Sequence, residues 1–229
     1  MIDFMKTTLS NYPAAIFDLD GTLIDSLEDI ADSMNAVLSS HGFAAHSLDS
    51  YRYFVGDGIA TLVRRALPEK VYPEETIRQC VHEMREEYRL RWREKTHPYD
   101  GISRILKELY RRGIKLNVFS NKPEDFTRLT VDEFFGRERF QKVLGVGPSV
   151  PAKPDPAGAL RIAEALELPP ERFLFFGDTN VDMRTARGAG MNPVGVLWGF
   201  RSAEELTAAG AMKVLRHPEE ILSCFPERN

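Results

Sequence analysis

The sequence predicts an α/β fold in which a parallel sheet carries an inserted helical module. Short apolar runs at Ala14–Phe17, Lys115–Phe119 and Phe173–Phe176 each lead into polar or small residues and then an amphipathic stretch. Near-continuous apolar strands alternating with helices belong to parallel sheets covered on both faces. Further strand-like runs follow at Lys142–Val146, Pro193–Leu197 and Met212–Leu215, whereas the interval from Ile24 to Pro98 carries no convincing strand signal.

Each element has its own local reason. Ala14–Phe17 is short and wholly apolar, and it ends on the charge of Asp18. Ser26, with Asp29 three residues on, has the spacing of a capping box. Leu27, Ile30, Ala31, Met34, Val37 and Leu38 then recur at helical intervals until Gly42. A second helix is expected over Ile59–Leu67, stopped by Pro68. A long third is expected over Glu74–Lys95, with Ile77, Val81, Met84, Tyr88 and Trp92 as its inner, packing stripe. The hinges of this module are expected near Leu23–Asp25 and His97–Gly101. The division predicted is therefore residues 1–23 with 99–229 as an α/β core, and residues 24–98 as a helical insertion.

Composition excludes several classes. The chain has 229 residues, ample for one or two domains, with 43% apolar and 28% charged residues and a formal charge of −4. That charge argues against a nucleic-acid partner or an anionic membrane surface, so any positive site must be local. Two cysteines, Cys80 and Cys224, stand far apart and form no metal-ligand spacing, which fits a reducing compartment. The N-terminal residues lack the pattern of a signal peptide, and no window approaches a membrane span. A soluble, cytoplasmic protein is expected, as a monomer or homodimer.

In an open α/β sheet, ligands bind outside the carboxyl ends of the strands. Those ends supply Asp18 and Asp20, then Ser120 and Asn121, then Asp178, joined by Lys153 and by Asp182 four residues past Asp178. Several carboxylates in one concavity repel each other unless a cation sits among them, and with oxygen donors and no nearby His or Cys the fitting ion is Mg²⁺. Carboxylates, a hydroxyl, a lysine and Mg²⁺ suit phosphoryl transfer: an aspartate can attack phosphorus, and a second acid two residues on can move the proton.

Asp18-Leu19-Asp20-Gly21-Thr22-Leu23, Ser120-Asn121, Lys153-Pro154 and Gly177-Asp178-Thr179-Asn180-Val181-Asp182 resemble, in order, the four motifs of the haloacid dehalogenase-like hydrolases. The resemblance implies a Rossmann-like parallel sheet core with an inserted small α-helical cap that closes over the substrate. It implies Asp18 as nucleophile, Asp20 as general acid–base, and Ser120, Asn121 and Lys153 as phosphate-binding. Mg²⁺ would be held by Asp18, the Asp20 carbonyl and Asp178, with Asp182 supporting the metal shell or Lys153. Within the superfamily the chain is similar to phosphoglycolate phosphatases, through Val55-Gly56-Asp57-Gly58, Leu62–Leu67, Lys153–Leu160, Gly177–Met191 and Val196–Arg201. The partner implied is a small phosphorylated metabolite.

Some residues carry two readings. Thr22 fits a turn-holding role. Gly56-Asp57-Gly58 either starts a helix or serves the site. Arg64 either meets a substrate carboxylate or lies on a solvated face. The five histidines show no metal-like spacing and are assigned to surface or caps. The competing functions are a sugar phosphomutase of the same superfamily, similar to beta-phosphoglucomutase, and a non-enzymatic interaction module on this scaffold.

Overall fold

The computed structural model describes residues 12–68 and 72–226. The outer ends of the core bounds at 1 and 229, and the N-terminal segment lacking a signal pattern, lie outside the described residues. In chain order the elements are β1 (Ala14–Phe17), β2 (Ile24–Asp25), α1 (Leu27–Ser40), α2 (Leu48–Phe54), α3 (Ile59–Ala66), α4 (Glu74–Arg91), β3 (His97–Pro98), α5 (Ile102–Arg111), β4 (Lys115–Pro123), α6 (Glu124–Phe135), β5 (Phe140–Val146), α7 (Ala157–Ala165), β6 (Phe173–Gly177), α8 (Asn180–Gly188), β7 (Asn192–Val196), α9 (Ala203–Ala208) and β8 (Lys213–Leu215).

Six strands form one parallel sheet in the order β5-β4-β1-β6-β7-β8. The chain leaves β1 toward β4 on one side and later returns to β6 on the other. β1 is therefore the point where strand order reverses, which is where such sheets open a crevice at their carboxyl ends. Alternation along the strands sends side chains to opposite faces. Ala15, Phe17, Leu174 and Phe176 join one apolar layer with Ile105, Leu109 and Phe225. Ala14, Ile16, Phe173 and Phe175 join the other with Ile162, Ala186 and Met191. Every residue of β1 is buried, so the strand that ends in Asp18 is held on both faces.

A third apolar cluster gathers α1 to α4, through residues such as Met34, Tyr51, Val63 and Met84, and includes Phe126 of α6 and Phe200. Between this cluster and the sheet the chain passes twice, and the two passages pair: Ile24–Asp25 runs antiparallel to His97–Pro98, with Tyr99 N–H donating to Leu23 O at 3.1 Å. The expected hinges thus lie side by side as one two-stranded ribbon.

The ribbon's two short strands lie in an interval expected to hold none, and the structure differs locally from expectation in three further places. Ser26 makes no side-chain cap; its hydroxyl donates to Asp20 Oδ1 at 2.6 Å. Asp29, the other half of the expected box, is buried and accepts from Lys95 N–H, Thr96 N–H and Thr96 Oγ1 at 2.6–3.1 Å. That capture explains why α4 ends at Arg91 rather than Lys95: amides turned to a carboxylate cannot continue an i to i−4 ladder. The third difference is α2, which no periodic signal announced, because seven residues are too few to display one.

Replacing Asp29 with Ala is expected to destabilise the fold by about 1–3 kcal/mol, since it orphans buried donors at the ribbon. Urea unfolding checks this.

Candidate active site

Asp18 follows β1 directly, and its own N–H donates to Phe176 O at 2.9 Å, continuing the sheet one residue past the strand. Asp178 follows β6 in the same way. Asp18, Asp178 and Asp182 bring carboxylate oxygens within 4.8 Å of one another, all buried. Lys153 Nζ stands among them, 2.9 Å from Asp18 Oδ1 and 2.6 Å from Asp182 Oδ1. Three carboxylates therefore face one ammonium.

The partners of each acid separate their tasks. Asp182 is fully engaged: its Oδ1 holds Lys153, and its Oδ2 accepts from Thr179 N–H and Oγ1 in a capping box that starts α8. Among the described residues, Asp178 accepts only from Thr22 Oγ1 at 3.1 Å and Phe200 N–H at 2.9 Å. Neither neutralises it. Its seat exists because Gly21 and Gly199 lack side chains: a Cβ on either would lie 2.3 Å from the Asp178 side chain, and Gly21 also has φ +85°. Thr22 is thus a site-shaping residue, fixed further by Trp198 Nε1 donating to Thr22 O at 2.9 Å.

Electrostatics follow from burial. Burial pushes the Asp18 carboxyl up; Lys153 opposes this and Asp182 adds to the rise, and the balance lies at about 7. Burial also raises Asp178 well above the ordinary carboxylate range, followed by the charges of Asp182 and Asp18. An excess of buried negative charge with all-oxygen donors is a cavity for a hard divalent cation, and Mg²⁺ fits that donor set. Asp18 and Asp178 hold the oxygens left to meet it.

Asn121 does something the sequence did not foretell. Its side chain accepts from Lys153 N–H at 2.7 Å and donates to Lys153 O at 3.0 Å and Gly56 O at 2.9 Å. The amide therefore fixes the lysine backbone and ties it to the loop before α3. Ser120 is buried, its hydroxyl accepts from Lys122 N–H at 3.3 Å, and the residue lines a cavity of about 70 Å³ together with Asp18 and Asp20. Gly56 and Gly58 line the same cavity from the helical side, and Gly58 also precedes the first turn of α3. Arg64 is not brought there. It lies on an exposed helix face and forms a bidentate pair with Glu74 at 2.9 and 2.7 Å, the solvated-face reading.

Two residues were missed as site members. Lys122 Nζ lies 2.8 and 3.1 Å from the two Asp20 oxygens and 2.7 Å from Tyr88 Oη. Burial alone would lower the Lys122 ammonium, but Asp20 and Tyr88 together outweigh it and hold it above its ordinary value. The signal was available: Ser120 and Lys122 are two apart on an extended strand and so share a face. Tyr88 does pack as its stripe position predicts, but its hydroxyl reaches this ammonium. His41, Cys80 and Glu83 also come together, away from the sheet; His41 Nε2 and Glu83 Oε2 are 2.6 Å apart, and that hydrogen bond accounts for the grouping.

The order and spacing of these groups are those of a known family, whose model, described as haloacid dehalogenase-like hydrolase, matches residues 15–196. The chain belongs to the haloacid dehalogenase-like hydrolases. It is 35% identical over 198 residues to a phosphoglycolate phosphatase of Psychrobacter arcticus, covering 83% of this chain and 86% of that one. It is 30% identical over 214 residues to phosphoglycolate phosphatase 1 of Pseudomonas aeruginosa, covering 91% and 78%. The crystal structure of a "predicted phosphoglycolate phosphatase" from Haemophilus somnus superposes with a TM-score of 0.86 at 27% identity, covering 95% of this chain and 98% of that one. The α/β fold with its parallel sheet is thus shared, and the chain is an enzyme of a hydrolase family. Among the described residues, no helix is long and apolar enough to cross a membrane.

The raised acids give a linkage prediction. Without a cation, native Asp18 keeps its proton up to about pH 7, whereas the unfolded chain loses it near 3.8, so metal-free stability falls as pH rises between those values. A divalent cation replaces the proton. Added Mg²⁺ is therefore expected to raise the thermal midpoint more at about pH 8 than at about pH 5. Equal shifts at both would contradict the assignment of Asp18 as a ligand.

Proposed function

We propose that this protein is a Mg²⁺-dependent phosphatase that hydrolyses a small phosphorylated metabolite through an aspartyl-phosphate on Asp18. The single observation that carries the reading is the buried Asp18–Asp178–Asp182 group with Lys153 as its one ammonium, at the sheet end beside the cavity.

In this reading an Asp18 oxygen attacks phosphorus as the ester oxygen departs, forming the aspartyl-phosphate. The Asp20 carboxyl gives its proton to the leaving oxygen, then takes one from the water that releases phosphate. Such proton transfer is worth ~10²–10⁴ in rate. Lys153 orients Asp18 at 2.9 Å and offers positive charge to the phosphate oxygens. Ser120 presents a hydroxyl donor. Asn121 serves the phosphate indirectly, by holding Lys153. Mg²⁺, held by the Asp18 carboxylate, the Asp20 carbonyl and the Asp178 carboxylate, supplies charge neutralisation for the transferred group when bound.

In this reading residues 24–98 are the cap over a core of 1–23 and 99–229, and side-chain contacts join the two parts. Arg52 Nη1 donates to Gly199 O at 3.1 Å and Arg201 Nη2 to Val55 O at 3.1 Å, while Arg85 pairs with Asp125 and Arg93 with Glu133 across α4 and α6. The cavity of about 70 Å³ beside Asp18 and Asp20 favours a compact ester. By likeness to the relatives, 2-phosphoglycolate is the first substrate to try, and a cytoplasmic setting suits it.

The test is phosphate release from a panel of small phosphorylated metabolites, with Mg²⁺ and with EDTA, for the wild type and Asp18→Asn. Metal-dependent release that Asp18→Asn lowers by at least about 10³-fold is expected. Release unaffected by EDTA, or retained by the variant, contradicts the mechanism; a profile that does not favour 2-phosphoglycolate removes that substrate alone.

A further inference from the structure

Lys122 is a buried cation that the reaction as written does not use. An ammonium has three N–H donors. Its contacts at 2.8 and 3.1 Å to the Asp20 oxygens and 2.7 Å to Tyr88 Oη engage two of them, the two oxygens of the carboxylate sharing one donor. The side chain stands at the cavity wall, committed to Asp20 and Tyr88.

The pair is anchored from two bodies of the fold. Lys122 lies near the end of β4, in the sheet. Tyr88 lies on α4, its ring edge-on to Phe126 of α6 at 5.1 Å and its face 4.6 Å from Lys122 Nζ. The same α4–α6 seam carries the Arg85–Asp125 and Arg93–Glu133 pairs. Removing the Tyr88 hydroxyl would free one ammonium donor on a flexible four-carbon stem, and the ammonium would then be fixed only by Asp20. Asp20 Oδ1 also accepts from Ser26 Oγ, the residue just after β2 in the ribbon. The carboxylate is thus gripped by groups whose positions depend on where the helical module sits.

We propose that Tyr88 and Lys122 are positioning residues that couple docking of α4 on α6 to the aim of the Asp20 carboxylate. The inference rests on the acid–base reading of Asp20 given above. In this proposal both act through Asp20.

An aimed acid matters in proportion to how badly the leaving oxygen needs a proton. An alkyl leaving group needs one, whereas nitrophenolate departs without. The experiment is therefore steady-state kinetics of Tyr88→Phe, Lys122→Met and Asp20→Asn on a small alkyl phosphate and on p-nitrophenyl phosphate with Mg²⁺, with thermal unfolding alongside. Tyr88→Phe keeps the ring on Phe126. It is expected to lower kcat about tenfold on the alkyl ester and less than about threefold on p-nitrophenyl phosphate, with KM within about twofold. Lys122→Met is expected to lose more in the same pattern. Equal losses on both esters, or a raised KM with unchanged kcat, overturn the proposal. Should Lys122→Met not fold, Tyr88→Phe decides alone. Asp20→Asn separates the two levels: if it loses nothing selectively on the alkyl ester, the acid–base reading and the proposal both fall. If it does and the Tyr88 and Lys122 variants do not, only the positioning falls.

Discussion

Three carboxylates buried at the end of a parallel sheet repel one another, and here a single ammonium, Lys153, stands between two of them. Taking such charges out of water costs several kcal/mol per ion unless they are paired, hydrogen-bonded or given a cation. Much of the surrounding architecture answers that constraint. Thr179 and the first turn of α8 satisfy one Asp182 oxygen. Gly21 and Gly199 let Thr22 and the Phe200 amide reach Asp178. Asn121 pins the Lys153 backbone so that its ammonium arrives where it is needed. The charge left over on Asp18 and Asp178 is what would draw a cation to the cluster.

The second acid of the opening motif lives under a different regime. Asp20 is partly exposed and paired with its own lysine, Lys122, and with Ser26. Two adjacent carboxylates two residues apart therefore sit in separate electrostatic environments. One is buried among like charges, and the other is held in a balanced pair at the edge of the cavity. That contrast is the physical basis for giving them different tasks. It also places the helical module in contact with the chemistry, through Tyr88 above Lys122 and through Gly56 on Asn121.

The sheet was legible because its strands are short, wholly apolar and punctuated by polar residues, as in Phe173–Phe176 before Gly177 and Asp178. The acids and Lys153 were legible for the same reason, being polar groups placed where a parallel sheet gathers its strand ends. What escaped depended on contacts distant in sequence. Ser26 and Asp29 have capping-box spacing, yet both turn to partners elsewhere, Asp20 and the Lys95–Thr96 amides. Lys122 looked like part of a polar loop because β4 runs on through Pro123, beyond the apolar stretch that announces it. Tyr88 lies on the apolar stripe of α4, and hydropathy periodicity carries no information about where a phenol hydroxyl ends. For Arg64, nothing local distinguishes a substrate contact from the Glu74 pair it makes.

The central claim is that Asp18, driven toward its neutral form by burial and recharged when a cation enters, is the atom donor that takes the phosphoryl group. Rapid acid quench of the protein turning over a radiolabelled phosphate ester with Mg²⁺, followed by peptide mapping, tests it most directly. The account predicts label on the peptide containing Ala14–Leu23, confined to Asp18 and absent in Asp18→Asn. Turnover with label on any other residue, or with no trappable phosphoryl-protein under conditions that preserve acyl phosphates, would contradict it.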